Sequence, residues 1–121
     1  MKQSNLLSGY TIIISIFLII EGIWGMFSTT VFGVLTTNTL HASIHILLGI
    51  IGIYTGLKGG ARSFCIFFGS LVVLVGILRF VPGADDLVIK LLNVNVAVAY
   101  FNIIVGVISI LIAMSAKGRA V

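Results

Sequence analysis

The chain has 121 residues, of which 60% are hydrophobic and 8% charged, with a mean hydropathy of +1.29 and a formal net charge of +4. A water-soluble domain carries about 25% charged residues, so this composition excludes a soluble enzyme, a disordered chain and a disulfide scaffold, and points to an integral membrane protein. The single cysteine, Cys65, leaves no intramolecular disulfide.

A helix needs about 20 apolar residues to cross the hydrocarbon core. Four such stretches are predicted, at about 8–28, 38–57, 63–82 and 96–115. The first contains Glu21, the only charged residue between Lys2 and Lys58. Lys2 and the apolar run from Ile12 to Ile20 suit a signal peptide, but Glu21 and Trp24 follow the run and no small-x-small cleavage site stands out. It is therefore read as an uncleaved helix. The connection 28–37 (STTVFGVLTT) is long and apolar. The second helix leads into KGGAR at 58–62, a tight glycine turn. Pro82 and Gly83 end the third helix. Residues 84–94 read as a short amphipathic helix in the interface plane, with Asp85 and Asp86 near its start. The expected fold is all-α: an integral membrane four-helix bundle, one transmembrane domain over 1–121, with too little chain outside it for a soluble domain.

The connections are short, so Lys and Arg set the orientation. Lys2, Lys58, Arg62, Lys117 and Arg119 fall on one face, against Arg79 and Lys90 on the other. That bias places both termini in the cytoplasm. The positive charge is a topology signal and not a nucleic-acid footprint, since no basic run or interleaved aromatic patch occurs.

An offset of 57 residues lays 31–62 over 88–119 without a gap, with nine of 32 positions identical, among them Asn38/Asn95, Gly49/Gly106 and Arg62/Arg119. The bundle is therefore expected to consist of two repeated two-helix units. Two helices per unit keep the same orientation, so the relating axis runs along the membrane normal.

His41, His45, Gly49, Gly52 and Gly56 follow one face of the second helix, and Asn102, Gly106, Ser109 and Ala113 one face of the last. Small residues let membrane helices approach and polar ones hydrogen-bond across the contact. The glycines and Ser109 are read as a packing seam. Glu21, His41, His45, Arg79 and Asn102 are read as an intramembrane polar cluster, with Glu21 meeting Arg79 or His45. Ionisable groups at that depth cost about 2.5–3.5 kcal/mol each and so face inward and find partners. His41 and His45, at i and i+4, are weak candidates for a metal, but a fourth ligand is lacking and no cofactor is expected. No serine-histidine-acid grouping, phosphate loop or CxxC occurs, which argues against an enzyme.

The motif Asn38-x-x-His41-x-x-x-His45-x-x-x-Gly49-x-x-Gly52, the duplication and the four helices resemble a bacterial membrane family, domain of unknown function 4383, over about residues 8–115. Members resembling this pattern often carry a second Asn…His…Gly motif in the last helix. Here Asn95 and Gly106 fit it, while Asn102 stands in place of the histidine and Val98 in place of a polar residue. The resemblance implies a bacterial membrane location and supplies no activity. The expected function is a structural or accessory protein of the inner membrane, in contact with the lipid bilayer and oligomeric or part of a larger complex. The alternative is proton or small-solute transport through the Glu/His/Arg cluster.

Overall fold

The computed structural model describes residues 5–115. Lys2, Lys117 and Arg119, on which the charge bias partly rests, lie outside them. Five helices and one small hairpin occur in the order α1 (Asn5–Phe27), β1 (Thr30–Val31), β2 (Leu35–Thr36), α2 (Thr39–Lys58), α3 (Ala61–Leu78), α4 (Ala84–Leu92) and α5 (Val96–Ser115). The class is all-α. Of these helices, α1, α2, α3 and α5 are long and apolar enough to cross a bilayer. Their outward faces carry Ile13, Leu47, Phe67, Leu74, Ile104 and Leu111, all more than half exposed. A surface that apolar suits lipid and would be untenable in water.

The helices start and stop where local chemistry dictates. The Asn38 side chain accepts from the His41 N–H at 2.9 Å, and Asn95 from the Val98 N–H at 2.8 Å. Each satisfies one orphan donor at the start of its helix. Gly59, at φ 88°, ends α2 in the left-handed conformation that glycine adopts without strain. α3 ends at Leu78, four residues before the end expected from the sequence, because turns through Arg79–Val81 precede Pro82. The connection 28–37 is an antiparallel hairpin pairing Thr30 with Thr36 and Val31 with Leu35. Apolarity alone gave no sign of it. We call the end of the bundle carrying this hairpin and α4 the hairpin face, and the end carrying Gly59–Gly60 the turn face.

α1 packs chiefly on α2, and α3 on α5. Backbones touch along both seams. A Cβ placed on Gly22 would lie 2.7 Å from the Ala42 carbonyl, and one on Gly76 would lie 2.7 Å from the Ala99 carbonyl. A Cβ on Gly49 would lie 2.7 Å from the Ser15 carbonyl, and one on Gly106 2.6 Å from the Gly69 carbonyl. Ser8 Oγ donates to Gly56 O at 2.9 Å, and Arg62 Nε to Ala113 O at 3.2 Å. Across the hairpin face, Asn38 Nδ2 donates to Leu91 O and Asn95 Nδ2 to Val34 O, at 2.8 and 3.0 Å. In these paired contacts α2 and α5 correspond at an offset of 57 residues, whereas α1 and α3 correspond at 54. Between the matched positions the chain is therefore three residues longer from Gly76 to Ala99 than from Gly22 to Ala42.

Candidate functional site

Three of the expected cluster residues meet. Glu21 precedes the last residue of α1 by six positions, and His45 and Asn102 follow the first residues of α2 and α5 by six. At 1.5 Å rise per residue each side chain therefore starts about 9 Å below the hairpin-face end of its helix. Glu21 and Asn102 are buried, at 6% and 7% exposure. His45 Nδ1 lies 2.8 Å from Glu21 Oε1, an ion-pair distance. Their alignment falls short of a hydrogen bond, so Oε1 is buried without one. The Asn102 amide makes no hydrogen bond among the described residues, and neither does the second nitrogen of His45.

His41 stands one turn nearer the hairpin face, its ring centroid 4.4 Å from that of His45. Its Nδ1 is 2.9 Å from Leu92 O. A carbonyl only accepts, so Nδ1 carries the proton in this contact. Arg79 is placed elsewhere. It caps α3, and its Nε donates to Val94 O at 2.9 Å, outside the Glu21 environment. Of the two partners expected for Glu21, the structure sets His45 against it and not Arg79. The cause is the early end of α3, which lifts Arg79 to the rim, where a main-chain carbonyl satisfies it. Among the described residues no group of three His, Cys, Asp or Glu side chains is arranged to hold a metal.

Cavities converge on this centre. One of about 10 Å³, lined by Glu21, His45 and Asn102 together with Thr36, Thr37 and Phe101, lies toward the hairpin. A second of about 10 Å³ lies deeper, between the same three residues and Leu18, Phe68 and Val72. Each is about the size that holds one water. A third, of about 80 Å³, runs from His41, His45 and Asn102 along Leu48, Leu71 and Val72. Sequence reasoning missed Thr36, Thr37 and Phe101, because the hairpin and the docking of α5 bring them in.

Below the centre the interior closes. Leu18, Leu48, Phe68 and Val72 form one buried apolar cluster. A second polar layer follows toward the turn face. There Thr11 Oγ1 meets Cys65 Sγ at 3.2 Å, and Tyr10 OH meets Ser109 Oγ at 2.5 Å. Gly49, Gly52, Gly56, Gly106 and Ser109 are all buried along the seams. Gly52 faces the Phe64 ring, and Gly56 faces Ile12.

No curated protein and no solved structure matches the chain. The family described as domain of unknown function (DUF4383) matches over residues 10–115, nearly the whole of the described bundle, and the chain belongs to that family.

Proposed function

We propose that the protein is a non-enzymatic structural or accessory component of a bacterial inner membrane, built by duplication of a two-helix unit and acting within an oligomer or larger complex. The apolar packing of Leu18, Leu48, Phe68 and Val72 between the two polar layers carries this reading, because the interior there is filled by a packed core. Native mass spectrometry from nanodiscs tests it. Masses above that of the 12.9 kDa chain are expected, and a bare monomer from native membranes overturns it. Lys58 and Arg62 flank the turn face, which favours that face, and both termini, in the cytoplasm. A reporter fused at residue 60 is expected to be active only as a cytoplasmic one.

The proton-transport alternative is favoured by one observation, the close Glu21–His45 pair between two water-sized cavities. Proteoliposomes loaded with a pH-sensitive dye separate the readings. Proton flux that Glu21→Gln abolishes establishes the alternative.

A further inference from the structure

Two polar groups at the centre of the bundle are left with unused hydrogen-bonding capacity. Glu21 Oε1 is enclosed against His45 Nδ1, 2.8 Å away. The Asn102 amide, with two donor hydrogens and an acceptor oxygen, is buried and makes no hydrogen bond among the described residues. The second nitrogen of His45 is likewise unused. Both residues line one cavity, so a partner for them belongs there.

The cavity of about 80 Å³ says what that partner is. Of its nine lining residues, six are aliphatic: Ile44, Leu48, Leu71, Val72, Val75 and Leu92. The other three are His41, His45 and Asn102. Water fits the polar end but finds no partners at the other, and an ordered water needs two to four. The polarity has a direction. His41, His45 and Asn102 stand toward the hairpin face, and Leu48, Leu71 and Val72 lie deeper, against the apolar layer. An amphiphile in the leaflet on the hairpin side has the same direction, with its head at the rim and its chain inward. The edges of the cavity include Ile44, Leu71 and Val75, which are half-buried on α2 and α3. These two helices are joined by the tight turn at the opposite end of the bundle, so a ligand from the lipid would enter between them.

The head group follows from the electrostatics. Asn102 and the histidines offer donors and acceptors to an oxygen, and Leu92 O is already taken by His41. An anionic head would bring its charge near the Glu21 carboxylate. A cationic head would compete with His45, which already lies against that carboxylate. An uncharged hydroxyl or carbonyl avoids both. We infer that the crevice between α2, α3 and α5 binds the head end of a single-chain lipid-phase amphiphile with an uncharged oxygen head, the head hydrogen-bonded by Asn102 and His45, the first carbons of the chain lying against Leu48, Leu71 and Val72, and the rest of the chain in the lipid. This site goes beyond the accessory role and holds whether or not the protein has partners.

The test uses the full chain with 15N-labelled histidine in phosphatidylcholine nanodiscs, titrated with 1-decanol, decane or decylamine. The chain has two histidines, so a His45→Gln sample identifies each imidazole signal. 1-Decanol is expected to shift the His45 signal with saturation, and decane to leave it in place. Asn102→Leu removes the hydroxyl's partner and is expected to abolish the saturable shift. Leu48→Trp fills the deep end, keeps every polar group and is expected to weaken binding at least tenfold. The inference is overturned if wild-type protein responds equally to decanol and decane, if neither gives saturation, or if decylamine binds more tightly than decanol. The wild-type comparison decides the matter even where a variant fails to fold. Flux and native-mass experiments have no bearing on it, so its failure is distinct from theirs.

Discussion

Gly49 offers the sharpest test of the packing. A Cβ added there would sit 2.7 Å from the Ser15 carbonyl oxygen and also strike Ile19. A carbon normally approaches a carbonyl oxygen no closer than about 3.3 Å, so the shortfall is about 0.6 Å. Ile19 can swing aside, but the Ser15 oxygen is fixed in the helical backbone. The α1 and α2 backbones must therefore separate, which also loosens the close approach of Gly22 to Ala42 on the same seam. Overpacking of this kind costs about 1–3 kcal/mol. Gly9 supplies the reference, since it lies in the same helix pair and a Cβ there meets nothing within 4 Å. Alanine at either position gains the same helix propensity, about 1 kcal/mol. The difference between Gly49→Ala and Gly9→Ala isolates the contact, and should be about 1–3 kcal/mol against Gly49→Ala. Equilibrium unfolding in bicelles, by steric trapping or by detergent titration, measures it. Equal shifts for the two variants would refute the close approach of α1 and α2.

Glu21→Leu combined with His45→Leu should cost less than the two single changes summed, by a coupling of about 0.5–3 kcal/mol in a double-mutant cycle on stability, because removing either member alone strands the other. Glu21→Leu with Arg79→Leu should instead be additive within about 0.5 kcal/mol, since Arg79 is bonded to Val94 O; a large coupling there would restore the ion pair that the sequence suggested. Asn38→Ala and Asn95→Ala each remove a helix cap and a strut across the hairpin face, and each should lower unfolding stability by about 1–2 kcal/mol. Tyr10→Phe should cost about 0.5–1.5 kcal/mol, because Ser109 keeps its bond to Val105 O; a loss several times larger would mean that the inner polar layer is a network and not a set of local bonds.

The sequence by itself determined the class, the four apolar spans and a short amphipathic helix over about 84–94, which the structure ends at Leu92. These follow from local rules: apolar length and charge placement. It also put Glu21, His45, Arg79 and Asn102 at one depth, because helical rise converts sequence distance from the helix end into depth; Arg79 departs from that level because α3 ends early. What it left open is rotation and pairing. Every face of an apolar helix is compatible with lipid, so periodicity does not say which residue of α1 meets which residue of α2. Only the tertiary structure set Glu21 against His45, moved Arg79 to Val94 O, and paired Tyr10 with Ser109 and Thr11 with Cys65. The hairpin over 30–36 escaped notice for a related reason. Its strands are two residues long, too short for alternation to register, and it is held by contacts such as Thr36 Oγ1 to Asn93 O, 57 residues away in the chain. Contacts of that range depend on how the helix pairs dock, and the crevice at their junction exists only once they have done so.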